Sequence, residues 1–363
     1  MNSDFWRGRR VFVTGHTGFK GGWLCLWLQS MGAEVHGYAL QPPTEPNFFT
    51  VAGIGDLLAS STIADIRDYQ GVLIAIKEAC PEIVLHLAAQ PLVRYSYHNP
   101  VETYSVNVMG VVHLLEAVRV TGGVRAVVNV TTDKCYENRE WPWGYREYEP
   151  MGGHDPYSSS KGCSELVSTA YRNSFFTEHG VAIATARAGN VIGGGDWALD
   201  RLLPDFLRAI DSGVELRIRS PGAIRPWQHV LEPISGYLTL AERLCLDGAK
   251  FAEPWNFGPA DDDVQTVGWI VEHLASRSPG MAWRCDPTPQ LHEAHYLKLD
   301  SSKARARLEW KPRWSLSTAL DKTLGWHQAW RNDQEMRAVS LAQIGAYSGE
   351  GNITRPETGN GAL

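Results

Sequence analysis

The stretch from Arg10 to Leu28 constrains this chain more than any other. Arg10-Val11-Phe12-Val13-Thr14 reads as a buried strand, Gly15 to Gly22 as a glycine-rich turn, and Trp23-Leu24-Cys25-Leu26-Trp27-Leu28 as the start of a helix. The turn is Gly15-His16-Thr17-Gly18-Phe19-Lys20-Gly21, a G-x-x-G-x-x-G spacing. Glycine is needed where the backbone turns sharply and where it must approach a pyrophosphate. The following helix offers unpaired N–H groups and the positive end of its dipole to phosphates. The plain alternative is an ordinary glycine-rich turn between a strand and a helix. Its place straight after the first strand of a strand–helix–strand unit favours a dinucleotide site, with Gly15, Thr17, Gly18, Phe19, Lys20 and Gly21 as its residues.

The same alternation continues. Residues 34–39, 83–88, 126–131 and 181–186 read as further strands, and Val101 to Val118 has helical spacing, with Val108, Val111, Val112, Leu115 and Val118 on one stripe. Continuous apolar strands separated by helices predict an α/β fold: a Rossmann-type doubly wound parallel sheet. After about residue 190 the alternation loosens. The reading is a sheet domain over 1–190, to which about 225–260 returns, and a smaller mixed α/β substrate-binding lobe over about 191–224 and 261–339. Residues 340–363, rich in Gly with Ser, Thr and Asn, read as a flexible tail.

The cofactor's ribose is not specified by the usual acid. The second strand ends in Tyr38-Ala39-Leu40-Gln41, with no Asp or Glu before Glu45, so the acid rule does not favour NAD over NADP. No Arg stands there to receive a 2′-phosphate, which disfavours NADP. Asp65, followed by Ile66, comes after the expected third strand and can accept from an adenine amino group. A solvated loop with a local Asp65–Arg67 pair explains it equally well.

Composition bounds the partners. The 363 residues carry 34 Lys and Arg against 40 Asp and Glu, a formal charge of −6, which disfavours a nucleic-acid binder. At 44% hydrophobic and 20% charged, the chain can bury a full core. The six cysteines form no C-x-x-C pair, so neither a zinc site nor a disulfide framework is expected, no metal is assigned, and a reducing compartment fits. No apolar run approaches the ~18 residues of a membrane span, and no signal-peptide core precedes the first strand. The expectation is a cytoplasmic protein with no membrane partner. Fourteen Trp suit aromatic packing or flat ligands, and the count does not say which.

Tyr157-Ser158-Ser159-Ser160-Lys161 is the one Tyr-x-x-x-Lys of the chain. On a helix the two side chains share a face. An ammonium there favours the phenolate and lowers the Tyr pKa, making Tyr157 a candidate general base. An exposed helical pair without function is the bland reading. Thr131-Thr132-Asp133-Lys134 ends the strand at 126–131, and ligands of doubly wound sheets bind at the carboxyl ends of strands. Thr132 and Asp133 are thus expected at the glycine-loop crevice. Taken alone, Asp133-Lys134 reads as a turn with a surface ion pair.

Together the glycine loop, Thr132, Tyr157 and Lys161 resemble the extended short-chain dehydrogenase/reductase family. His86-Leu87-Ala88-Ala89-Gln90 resembles its cofactor-lining segment, and Asn107 its helix asparagine. Thr132-Asp133-Lys134-Cys135-Tyr136, Asn190 in Gly189-Asn190-Val191-Ile192-Gly193-Gly194-Gly195-Asp196-Trp197, and Arg225-Pro226-Trp227-Gln228-His229-Val230 are similar to the sugar-nucleotide 4,6-dehydratase branch. The similarity runs over about residues 8–330. It implies NAD as cofactor, with Leu87, Ala88 and Ala89 beside it, and a nucleotide-sugar substrate, CDP-glucose. Cytidine is not argued by the physics of any residue.

The resemblance also implies roles. Tyr157 takes the O4 proton as hydride leaves C4 for NAD, Thr132 orients O4, and Lys161 holds the nicotinamide ribose and depresses the Tyr157 pKa. Asp133 is the acid at O6 as water leaves across C5 and C6. Lys134 stands where better-known relatives carry Glu. It is either a neutral base at C5 or a cation stabilising the enolate. Arg225 is expected at the diphosphate, then Asn190, then Arg201, with Gln90 also facing substrate; for Arg201 a plain surface charge is the alternative. A 4-epimerase needs no acid at O6, a simple reductase turns over free cofactor, and a non-enzymatic NAD-binding regulator has no reason to combine Thr132, Tyr157 and Lys161. Similar proteins pair the helix after Asn99 with the Tyr157 helix, implying a homodimer or homotetramer.

Overall fold

The computed structural model describes residues 2–286 and 295–349. Its strands are β1 Arg10–Thr14, β2 Glu34–Ala39, β3 Ser60–Ile63, β4 Ile83–His86, β5 Ala126–Val130, β6 Ala182–Ala188, β7 Val191–Ile192, β8 Leu216–Ile218, β9 Gln228–His229, β10 Pro254–Phe257 and β11 Trp283–Cys285. Seven of them form one parallel sheet in the order β10-β6-β5-β4-β1-β2-β3. Val11 lies opposite both Val35 of β2 and Ile83 of β4, so β1 and β4 mark the point where the strand order reverses. Helices cover both faces. On one, Val11, Val13, Leu85 and Val128 meet Trp23, Leu24, Ile234 and Leu238. On the other, Phe12, Val84 and Val127 meet Val72, Ile76, Leu114 and Val118. Burial on both faces explains why these strands are apolar throughout rather than alternating.

The remaining strands pair in twos, β7 with β9 and β8 with β11. Leu203, Phe206, Ile218, Trp227, Ile270 and Leu320 form a separate core beside the sheet's carboxyl edge. Three sequence expectations change. Ala304, Leu308 and Trp310, assigned to the lobe, pack instead in the main sheet core, where Trp310 Nε1 donates to Ser235 Oγ at 2.9 Å. The supposed tail begins too early: Met336–Ser348 is a helix, with Ser340 bonded to Trp326 Nε1 at 2.9 Å and Tyr347 buried. Met336, Ile344 and Tyr347 give that helix an apolar face, which the small polar residues beyond it mask in composition. Residues 350–363 lie outside the described part. The helix expected over 101–118 comes in three pieces, Pro100–Tyr104, a π turn Ser105–Met109, and Gly110–Thr121. The π turn carries Asn107 inward, Val111, Leu115 and Val118 of the expected stripe are buried, and Val101 at its start is 83% exposed.

Among the described residues no helix is long and apolar enough to cross a membrane.

Candidate active site

A cavity of about 1840 Å³ opens at the carboxyl ends of the strands, between the sheet and the smaller core. Its floor is the glycine loop. Gly15 has φ +77°, and a Cβ there would stand 2.8 Å from the Ala88 nitrogen. A Cβ on Gly21 would fall 2.0 Å from the Gly15 oxygen. Gly18 caps the helix Phe19–Ser30 without a side-chain bond, so no side chain of its own claims that N-terminus, which faces the cavity. The cradle therefore fits a dinucleotide pyrophosphate. Thr14 Oγ1 accepts from the Leu87 and Ala88 nitrogens at 3.1 Å each, tying β1's end to the segment after β4. Thr17, Phe19, Lys20, Asp65, Ile66, Leu87, Ala88 and Ala89 all line this cavity. The Asp65 carboxylate is gripped by Arg67 at 2.5 Å, which holds its pKa below the usual range.

The reacting groups face the cradle. Asp155 caps the helix Pro156–Tyr171 by accepting from Ser158 N, with Pro156 at its first position. That helix buries Tyr157 and Lys161 on one side. Thr132 caps a single 3-10 turn, Asp133–Cys135, directly after β5. Asn107 locks the two pieces around it: it accepts from Gln90 N at 2.8 Å and donates to Ser160 Oγ at 2.9 Å. Thr132, Lys134, Tyr157 and Lys161 line the cavity together, with Asn190, Arg201 and Arg225 on the opposite wall. Arg201 is held by buried Asp196 at 2.9 Å, and the Asn190 Oδ1 atom is buried without a hydrogen-bond partner.

Three expectations fail in detail. Gln90 does not line the cavity: its amide donates to Thr103 Oγ1 and its carbonyl accepts from Leu92 N, so both polar ends are spent on its own loop. Asp133 sits behind the wall, fully buried. Its Oδ1 accepts from Thr132 Oγ1 at 2.9 Å and lies 3.7 Å from Lys134 Nζ, while Oδ2 has no partner. Lys161 does not depress Tyr157. Burial pushes the Tyr157 phenol up to about 12, opposed by the Thr132 hydroxyl and by Arg201, and assisted by Asp133 and Asp155. Lys161 donates to the Val130 carbonyl at 3.2 Å, and burial brings it down to about 8 against the pull of Glu165.

Sequence reasoning missed other groups. Lys20 was expected at the cofactor, but not as a member of a charged cluster. Burial, reinforced by Lys161 and Arg201, lowers it to about 7, making it a third amine or guanidinium group in one charged cluster. Asp196 and the buried pair Glu165–Arg187 were also missed. Glu165 follows Lys161 by four residues and Tyr157 by eight, and that helical spacing was the signal available.

The chain has relatives of known name. The family model described as GDP-mannose 4,6 dehydratase matches residues 12–323. The CDP-glucose 4,6-dehydratase of Salmonella typhimurium is 56% identical over 353 residues, 96% of this chain and 98% of that protein. The dTDP-glucose 4,6-dehydratase of Streptomyces antibioticus is 26% identical over 278 residues, 71% of this chain and 75% of that one. Among solved structures, the dTDP-glucose 4,6-dehydratase DesIV of Streptomyces venezuelae, with NAD and TYD bound, superposes with a TM-score of 0.77 at 24% identity, covering 90% of this chain and 99% of its own. A UDP-glucose-4-epimerase of Stenotrophomonas maltophila superposes at 0.76 with 22% identity, covering 90% of this chain and 99% of its own. At such identities the structures speak to the fold alone. The chain belongs to the GDP-mannose 4,6 dehydratase family.

Proposed function

We infer that this chain removes water from CDP-D-glucose to give CDP-4-dehydro-6-deoxy-D-glucose, as an NAD-dependent hydro-lyase. The observation that carries this is the 56% identity over 96% of the chain to a CDP-glucose 4,6-dehydratase. NAD in the glycine-loop cradle supplies the group that takes hydride from sugar C4 and returns it to C6.

The chain's own groups do the rest. Tyr157 accepts the O4 proton, and Thr132 holds O4 by its hydroxyl. With a resting value near 12, Tyr157 depends on the cations gathered around it, and Arg201 already acts on it in that direction. Oxidation makes the C5–H acidic. Asp133 has no face on the cavity, so its part at O6 is exerted through Thr132 and Lys134, which it holds. Asp133 Oδ1, 3.7 Å from Lys134 Nζ, gives that side chain a carboxylate neighbour. Lys134 then stabilises the enolate while a water takes the C5 proton, and it gives a proton to the departing hydroxide. Arg225 and Asn190 receive the diphosphate. The planar guanidinium suits phosphate, and the Asn190 side-chain N–H groups suit it as neutral donors.

The assembly is a homodimer or dimer of dimers. Val101 at 83% exposed, Tyr104 at 39% and Leu166 at 61% leave an apolar surface on the paired helices Pro100–Tyr104 and Pro156–Tyr171. All six cysteines are free, which suits work in the cytoplasm.

The test is purified protein with CDP-glucose and no added cofactor, followed by mass spectrometry. Loss of one water is expected, faster than from dTDP- or UDP-glucose in parallel samples. An unchanged mass with a changed configuration at C4 by NMR would instead make the chain an epimerase.

A further inference from the structure

Glu165 and Arg187 form an ion pair that is almost wholly buried, with side chains 4% and 3% exposed. Neither lines the cavity. Such pairs add little stability over apolar residues of equal volume, so fold stability alone does not account for it. Its bonds suggest what does. Glu165 Oε1 accepts from Thr131 Oγ1 at 2.5 Å and Arg187 Nε at 2.9 Å. Oε2 accepts from Thr185 Oγ1 at 2.6 Å and Arg187 Nη2 at 2.8 Å. The remaining guanidinium nitrogen donates to Tyr136 Oη at 2.7 Å and to the Glu147 carbonyl at 3.0 Å.

Thr131 immediately precedes Thr132, and Tyr136 follows Lys134 by two. The reacting segment Thr132-Asp133-Lys134 is therefore held on both flanks by one ion pair. Glu165 also sits on the Tyr157 helix, one turn beyond Lys161, whose Nζ reaches the Val130 carbonyl at 3.2 Å. Two tethers a turn apart thus fix that helix to the end of β5.

We propose that Glu165, paired with Arg187, is a positioning residue that sets the separation of Thr132, Tyr157 and Lys161 for the reaction. The inference rests on the dehydratase reading above. A misplacement of about 1 Å between reacting groups costs on the order of 10²-fold in rate. Glu165 has a second, electrostatic effect. The charged and titratable groups facing Lys161 are Glu165 on its own helix, Cys135 of the turn, Lys20 of the glycine loop and His86 of β4. Only Glu165 among them is a carboxylate, and it favours the ammonium.

The experiment compares wild type, Glu165→Gln and the double variant Glu165→Leu/Arg187→Met on CDP-glucose across pH. Glu165→Gln is expected to lower kcat about 10- to 100-fold with KM within about twofold. The alkaline limb of its kcat profile should move to lower pH, because Lys161 loses its carboxylate. Glu165→Gln leaves Arg187 buried and unpaired and can fail to fold. The double variant leaves no unpaired buried guanidinium. It should melt within a few degrees of wild type yet show the same loss in kcat. A folded variant of either kind with wild-type kcat and an unmoved pH limb overturns the inference, as does a defect confined to KM. A wild type that leaves CDP-glucose unchanged overturns the dehydratase reading and this inference with it. A wild type that turns over beside unimpaired variants overturns this inference alone.

Discussion

On the proposed function Asp133 and Lys134 act as one unit: of the two, Lys134 lines the cavity, and Asp133 Oδ1 lies 3.7 Å from its Nζ. Lys134→Met is expected to cost about 10²-fold in kcat with little change in KM. Asp133→Asn should fall within a few-fold of it, and the double variant should be no worse than either single one. Steady-state assays of water loss check this. Additive losses would mean two independent roles. Residues defined by short-range spacing were legible in the sequence. The glycine loop, Thr132, Tyr157 and Lys161 each announce themselves within a few positions. Gln90 was misplaced because its bonds to Thr103 and Leu92 depend on a loop shape that no local pattern encodes. Glu165 and Arg187 come from a helix and a strand 22 residues apart. Either alone looks like an ordinary charge.

Between elements, the contact of the helices Leu231–Asp247 and Met336–Ser348 turns on one carboxyl group. Glu232 is buried and accepts from Tyr347 Oη at 2.5 Å and from the Arg313 and Trp314 nitrogens. Burial still outweighs those donors and lifts Glu232 from 4.5 to about 7. The folded state thus holds this proton more tightly than the unfolded chain does. Its contribution is complete below about pH 4.5 and is lost as pH rises through about 7. The loss amounts to about 3 kcal/mol. Melting curves between pH 5 and 8 should show stability falling with pH, and Glu232→Gln should flatten that slope. An unchanged slope in the variant would assign the effect elsewhere. The helix that donates Tyr347 was hidden in the sequence by the polar residues after it, whereas β1, β2, β4, β5 and β6 showed as short runs rich in apolar residues. β10 did not. Pro254-Trp255-Asn256-Phe257 has no β-branched run, and it is a strand because β6 offers an edge and Glu147 accepts from the Asn256 nitrogen.

At the scale of the whole molecule, the cavity depends on two cores meeting at the carboxyl edge of the sheet, and the proposed assembly rests on an apolar surface left on the Tyr157 helix. Leu166→Glu places a charge on that surface, 61% exposed in the single chain. It is expected to give a monomer by light scattering with a melting temperature that no longer rises with protein concentration. A wild-type assembly in that variant would move the interface elsewhere. The parallel sheet and its crevice were legible because alternation of strands and helices admits few topologies. The division of residues beyond 260 was not, since Ala304 and Trp310 return to the first core before Leu316 to Leu324 complete the second. The order of strands also bears on how the protein is made. β10 closes the edge of β6 but lies dozens of residues later in the chain. At about 5–20 residues per second, a nascent chain on the ribosome waits several seconds with that edge bare. For that interval the emerging half-sheet presents open backbone donors and acceptors, the feature by which strands recruit wrong neighbours. Synthesis speed between residues 188 and 254 is therefore a determinant of yield for this fold.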